Sequence, residues 1–211
     1  MKIVIFGGSG FIGQKLAEEL VNRGHHVSSI SRSGKPADLT TPWSQKVEWI
    51  HSDILNDTAW QDTIATSDWV IDTIGILFEK PQKNITYDRF IIEPVRILLH
   101  YLTQTNSRAK LLFLSANTAP LLLKKYMNAK LSAEELIKEQ SPRNLIVYPS
   151  LVVDHERPFS MISAKSIRFS KKIPGLRQLV KGYDPISRQT LAIEIANVIE
   201  GKSSVYTKRR Q

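Results

Sequence analysis

The chain has 211 residues, 42% hydrophobic and 23% charged, a composition typical of one sizeable soluble globular domain. Its formal net charge of +9 is spread along the chain. This distribution favours a solvated basic surface over a nucleic-acid-binding one, and we expect the basic residues 208–210 to form a frayed end. The absence of cysteine excludes disulfides, thiolate metal sites and a cysteine nucleophile, and the five scattered histidines predict no metal site.

The N-terminal segment does not have the pattern of a signal peptide. Met1 and Lys2 lead directly into a short apolar run that stops at Gly7. No apolar run in the sequence reaches the roughly 18 residues that a membrane span needs. We therefore expect a cytoplasmic protein.

Short apolar segments alternate with amphipathic ones along most of the chain. The pattern predicts strands at Lys2–Phe6, at His26–Ser31 and at residues 47–51, 69–74, 111–115 and 145–148. It predicts helices at residues 11–23, 58–65, 87–105 and 126–140, with Pro94 kinking or restarting the third. Apolar strands alternating with helices indicate an α/β fold with a doubly wound parallel sheet, which binds ligands at the carboxyl ends of its strands.

The alternation fades after Pro149, where we predict a basic helix at residues 162–172 and a last helix at 191–200. We expect residues 1–211 to form a single domain, in which residues 151–211 are a small lid over the strand ends and a substrate pocket. The apolar and basic segment 159–172 is either a membrane or anion contact, or a helix with one buried and one solvated face.

The first strand runs into a glycine-rich turn with the spacing G-x-x-G-x-x-G. Gly7 permits the tight turn, Gly10 allows the backbone to approach a pyrophosphate, and Gly13 allows close packing of the helix on the strand. The phosphates then bind at the positive N-terminus of the helix, where Phe11 and Ile12 lie. The strand–turn–helix context predicts a dinucleotide site, and the alternative is a structural turn in another α/β fold.

The residues that follow the second strand indicate which dinucleotide is bound. Arg32 offers several donors to a 2′-phosphate, and the Ser33 hydroxyl is next to it. An acidic residue, which would bind a ribose 2′-hydroxyl, is absent from this position in the sequence. We therefore predict NADP(H) in preference to NAD(H), with a surface arginine as the alternative.

Two further strand ends supply candidate cofactor contacts. After the third strand, Asp53 can accept from the adenine amino group while Ile54 packs on the ring, although Asp53 is equally suited to cap a turn. At the end of the fourth strand, Thr73 and Gly75 lie where the ribose and phosphates are expected, with an ordinary loop glycine as the alternative.

These motifs together resemble the short-chain dehydrogenase/reductase superfamily, in its extended and atypical branch. The resemblance is carried by residues 7–13, 31–34, 111–117 and 148–150, by Asp53, and by Tyr126 and Lys130 followed by Glu134. Within that branch, residues 31–34 and 74–77 and Trp49 are similar to the group containing the NADPH-binding accessory subunit of respiratory complex I and a reductase-like protein associated with ubiquinone biosynthesis. The resemblance implies a Rossmann fold and a nicotinamide cofactor.

Tyr126 and Lys130 are four residues apart on a predicted helix and so share one face. A nearby ammonium lowers the pKa of a tyrosine and favours proton transfer near neutral pH. The resemblance implies that the lysine also holds the nicotinamide ribose. We predict that both residues are catalytic, and the alternative is a chance pair on a helix.

The resemblance also implies a hydroxyl after the fifth strand that polarises the substrate oxygen. Ser115 is the candidate, but it lies one place early relative to extended members of the superfamily. That shift would put Ala116 at the catalytic position, with either Asn117 or Thr118 supplying the hydrogen bond or no residue supplying it.

The sequence therefore predicts an NADP(H)-dependent oxidoreductase that acts on a small carbonyl or alcohol substrate, as a monomer or homodimer. Two alternatives stay open. One is a regulatory or structural NADP(H)-binding protein without turnover, and the other is a nucleotide-sugar-type epimerase or dehydratase.

Overall fold

The computed structural model describes residues 1–154 and 185–210. Six parallel strands form the central sheet, in the order β3-β2-β1-β4-β5-β6. They are β1 (Lys2–Phe6), β2 (His26–Ser31), β3 (Glu48–His51), β4 (Trp69–Asp72), β5 (Lys110–Leu114) and β6 (Leu145–Val147). This order is that of the Rossmann fold, so the predicted fold class is confirmed.

Helices cover both faces of the sheet. They are α1 (Phe11–Asn22), α2 (Gln61–Ala65), α3 (Glu93–Gln104), α4 (Lys124–Gln140) and α5 (Arg188–Ile199). A π-helical turn at Asp88–Ile92 leads directly into α3, and Pro94 lies in the first turn of α3. The predicted restart of this helix at the proline is therefore present.

The strands are buried on both faces because their side chains alternate between two cores. Ile3 and Ile5 of β1 lie in the core that α1 and α5 cover. Val4 and Phe6 lie in the core that α3 and α4 cover. This two-sided burial explains why the strands read as continuous apolar runs.

The last helix packs on the first. Leu191 and Ile195 of α5 share a core with Leu16 of α1. At the edge of this contact, Arg23 donates to Asn197 Oδ1 and Glu200 Oε2, both at 2.9 Å. The described part of the C-terminal region thus completes the core on the α1 face.

A short parallel pair, β7 (Val152–Val153) with β8 (Ile186–Ser187), precedes α5. The predicted basic helix at 162–172, and with it about half of the predicted lid, lies outside the described residues. None of the helices described is both long enough and apolar enough to span a bilayer.

Candidate cofactor and active site

Two clefts of about 450 Å³ each open along the carboxyl edge of the sheet. The first is lined by the glycine turn and by the loops that follow β2, β3 and β4. The second is lined by the start of α1, the loop after β5, and α4. Both include residues 73–76, so together they form one continuous path across the point where the strand order reverses.

The glycine turn is shaped so that side chains are excluded. Gly7 has a φ of +81°, and a Cβ on Gly13 would lie 2.3 Å from the Gly7 carbonyl oxygen. A Cβ on Gly8 would lie 2.1 Å from Ser29 Oγ, a constraint that sequence reasoning missed. Gly10 is the N-cap of α1 and has no side chain with which to cap it. The helix N-terminus is therefore suited to a phosphate group.

Arg32 and Ser33 line the far end of the first cleft. The Arg32 guanidinium lies over the Phe90 ring, 5.1 Å from its centroid. Ser33 Oγ is 2.9 Å from Ser9 Oγ in the glycine turn, which links the two loops. An exposed cation thus lies where the sequence placed a contact to a 2′-phosphate.

Asp53 and Ile54 line the same cleft after β3. Asp53 Oδ1 accepts from the Leu55 N–H at 3.1 Å and Oδ2 from Asn56 Nδ2 at 2.8 Å, so this carboxylate also stabilises a turn. Ile54 is buried within the core on the α3 side.

Thr73 and Gly75 lie in the segment that both clefts share. Thr73 Oγ1 donates to the Phe6 carbonyl at 2.7 Å and so joins the end of β4 to the glycine turn. Gly75 is exposed, and a Cβ there would lie 3.8 Å from Lys130 Nζ.

The second cleft brings together Phe11, Ile12, Ser115, Tyr126 and Lys130. The ammonium of Lys130 is buried and donates to the Leu114 carbonyl at 2.6 Å. Burial lowers the pKa of Lys130 to about 8, against the opposing effects of the nearby carboxylates of Asp72 and Glu134. The Lys130 ammonium therefore loses its proton at a lower pH than that of an exposed lysine.

The expected lowering of the Tyr126 pKa is wrong in this structure. Desolvation, followed by the neighbouring Tyr87, raises the pKa of Tyr126 to about 12. Lys130 Nζ lies 5.9 Å from the Tyr126 ring centroid and is directed to Leu114 instead. Tyr126 is accordingly a protonated phenol at neutral pH.

The hydroxyl of Ser115 is hydrogen-bonded within the protein. Ser115 is buried, and its Oγ donates to the carboxylate of Glu134 on α4. Asn117 exchanges two hydrogen bonds with the backbone of Arg210. Thr118 lines the cleft and is less buried than either residue, so of these three side chains it is the most accessible to a ligand.

The expected frayed basic end is wrong, because the tail is bound to the loop after β5. Arg209 donates to Glu134, and through Nη1 to the Ala116 and Asn117 carbonyls at 2.7 Å each. Arg210 donates to Ser150 Oγ at 3.1 Å on the loop after β6. The tail therefore holds two loops that line the second cleft.

Asp72 lies at the end of β4, inside a segment predicted as a strand, and the sequence did not identify it as a candidate functional residue. It is fully buried, and its Oδ1 accepts from the Ile74 N–H at 2.8 Å. Its Oδ2 has no partner among the described residues. Burial raises the pKa of Asp72 to about 7, although the Ile74 bond and Lys130 oppose the shift. A lone carboxylate in an apolar run was the available signal.

Known proteins resemble this chain along its length. The model of the NAD dependent epimerase/dehydratase family matches residues 3–143. MIOREX complex component 2 of Saccharomyces cerevisiae is 33% identical over 97 residues, which are 41% of this chain and 35% of that protein. The chain thus matches about a third of the length of this curated relative.

Two solved structures have the same fold. UDP-glucuronic acid 4-epimerase of Bacillus cereus, in complex with NAD, has a TM-score of 0.67 and 21% identity, covering 99% of this chain and 76% of that one. MoeE5, in complex with UDP-glucuronic acid and NAD, has a TM-score of 0.69 and 18% identity, covering 98% and 74%. At these identities the likeness concerns the fold.

Proposed function

The chain belongs to the NAD-dependent epimerase/dehydratase family, and from that premise we propose that it is an NADP(H)-dependent oxidoreductase that reduces a carbonyl compound. The observation that carries this proposal is the pair of clefts joined at residues 73–76. One end of this path holds Arg32, and the other holds Tyr126 and Lys130. A dinucleotide bound along it would have its 2′-phosphate and its nicotinamide at these two ends.

The first cleft would hold the adenosine half of the cofactor. Gly7 and Gly10 leave room for the pyrophosphate at the N-terminus of α1. Arg32 and Ser33 would bind the 2′-phosphate, and Asp53 would accept from the adenine amino group. The bound cofactor would supply a hydride.

The second cleft would supply a proton. Tyr126 would donate this proton: its raised pKa keeps the phenol protonated at neutral pH, and also makes it a weaker acid than an ordinary tyrosine. Lys130 would hold the nicotinamide ribose, and Thr118 would orient the substrate oxygen. Ser115 would act through Glu134 to position the loop after β5.

Calorimetry with NADPH and NADH tests the cofactor assignment. We expect wild-type protein to bind NADPH more tightly, and Arg32→Leu to weaken NADPH binding by about thirtyfold through loss of charge-assisted bonds, with NADH unaffected. Lys35→Leu is the matched control, because Lys35 is exposed in the same loop but is not part of the cleft. Equal affinity of the wild-type protein for both dinucleotides contradicts the assignment.

NADPH oxidation with a panel of carbonyl compounds tests the chemistry. Tyr126→Phe should abolish turnover and leave NADPH binding intact, because only the proton donor is removed. Tyr101→Phe is the control, since it removes a phenol that donates to the Gln61 carbonyl away from the clefts. Unchanged turnover in Tyr126→Phe rejects the mechanism.

One observation favours a second candidate, an NADP(H)-binding protein without turnover. The Ser115 hydroxyl is bound to Glu134, and the Lys130 ammonium is bound to the Leu114 carbonyl, so the protein itself engages two of the three predicted catalytic groups. Tight NADPH binding with no turnover on any carbonyl or nucleotide sugar would support this candidate. Interconversion of UDP-glucuronic acid with its 4-epimer would support an epimerase instead.

We also propose a cytoplasmic monomer or homodimer with a small-molecule substrate. Size-exclusion chromatography with light scattering tests the oligomeric state, and cell fractionation tests the location.

A further inference from the structure

The second cleft is lined mainly by apolar side chains. They come from the loops after β4 and β6 and from the turn before α4: Ile76, Leu77, Ala119, Leu123, Leu151 and Val152. The polar groups of Tyr126, Lys130 and Thr118 lie among them. A few polar groups in an apolar pocket are typical of a site that orients one polar atom of an otherwise apolar ligand.

Large apolar side chains are also exposed at this cleft and next to its lining residues in the sequence. Leu77, which lines it, is 49% exposed, and the adjacent Phe78 is 60% exposed. Leu122, next to the lining residue Leu123, is 90% exposed. Exposed apolar side chains that continue an apolar cleft extend the surface available to a ligand beyond the cavity itself.

Charge distinguishes the described lining of this cleft from a nucleotide-sugar site. Among its described lining residues, Lys130 is the only charged one, and its ammonium is bound to the Leu114 carbonyl. A nucleotide diphosphate carries at least two negative charges, which need cations or several backbone donors. The described lining is better matched to an uncharged ligand.

We propose that the second cleft binds an uncharged, apolar carbonyl compound, an aryl or long-chain ketone or aldehyde, whose apolar tail leaves past Leu77 and Leu122. This inference rests on the proposed function for the position of the carbonyl group beside Tyr126. The carbonyl carbon gains the hydride that NADPH supplies, and its oxygen gains the Tyr126 proton. The products are an alcohol, NADP⁺ and a phenolate that recovers its proton from water.

Ligand binding without turnover tests the proposal. Alkyl phenyl ketones from acetophenone to hexanophenone are titrated by calorimetry into full-length protein in excess NADP⁺, which cannot reduce them. Each methylene that becomes buried should tighten binding by about fourfold. An affinity that does not change with chain length overturns the proposal, as does tighter binding of UDP-glucuronic acid than of hexanophenone.

Substitutions at Leu77 and Leu122 test where the apolar tail of the ketone lies. Leu122→Asp and Leu77→Asp should each weaken hexanophenone binding by about tenfold more than acetophenone binding, because only the longer ketone reaches these side chains. Leu131→Asp is the matched control, since Leu131 is 41% exposed on α4 but is not part of the cleft. An equal loss in Leu131→Asp would indicate adsorption to the surface and overturn the proposal.

NADPH titration of the same protein, prepared without NADP⁺, separates the two proposals. If NADPH binds but the ketone series is flat, the substrate class is wrong and the cofactor assignment stands. If the ketone series behaves as expected but NADPH does not bind, the proposed function fails and the apolar site stands alone.

Discussion

Arg209 holds the loop after β5 through the buried carboxylate of Glu134, and its removal should destabilise the fold. In Arg209→Met, Glu134 loses its guanidinium partner, and the Ala116 and Asn117 carbonyls each lose a charge-assisted donor. Breaking a buried pair by removing one partner costs about 3–5 kcal/mol. The Arg209 side chain is 33% exposed, so water replaces part of its bonding, and we expect a loss of about 3 kcal/mol.

Urea unfolding at neutral pH, followed by the fluorescence of the four tryptophans, measures this loss. In a double-mutant cycle, Glu134→Gln removes the buried charge, so Arg209→Met should cost about 1.5 kcal/mol less in that background. Lys138→Met is the control, because Lys138 is 59% exposed and 3.5 Å from Glu134 Oε2; it should change stability by less than about 0.5 kcal/mol. Additive effects of Arg209→Met and Glu134→Gln would refute the reasoning.

Two further predictions concern the glycine turn and the buried carboxyl. Gly13→Ala should lower the free energy of unfolding by more than about 3 kcal/mol and abolish dinucleotide binding, because its Cβ meets the backbone of Gly7 and Gly8. Gly24→Ala, where φ is +81° but the space is open, should lower it by about 1 kcal/mol. Equal losses in urea unfolding would contradict this prediction. The pKa of Asp72 is raised to about 7, so the folded state keeps a proton that the unfolded state loses near pH 4. Wild-type stability relative to Asp72→Asn should therefore fall by about 3 kcal/mol as the pH rises from 4.5 to 7.5. A stability difference between the two proteins that does not change with pH would exclude the raised pKa of Asp72.

The sheet and the glycine turn were predictable because both depend on local sequence. Apolar runs such as Lys2–Phe6 are buried on both faces, so their pattern does not depend on distant partners. The ends of the strands were less predictable. Strand β4 stops at Asp72, because the Asp72 carboxylate accepts the Ile74 N–H and turns the chain. Strand ends depend on such side-chain bonds more than on apolar periodicity.

The electrostatics of the candidate site were not predictable from spacing. The interval between Tyr126 and Lys130 places them on one helix face but does not say where the ammonium points, and the Leu114 carbonyl from β5 decides that. Glu134 and Arg209 are 75 residues apart, so neither residue type nor periodicity links them. Long-range contacts of this kind come from the fold and had no local signal.

The packing of α5 on α1 affects when this protein can fold during its synthesis. The apolar face of α1 is covered by residues such as Leu191 and Ile195, which the ribosome adds after nearly all of the sheet. At about 5–20 residues per second, the apolar face of α1 would stay uncovered for roughly 10–40 s before α5 is synthesised. In that interval the nascent chain exposes Leu16 and Leu20, both fully buried in the finished protein, so it offers a binding site for chaperones.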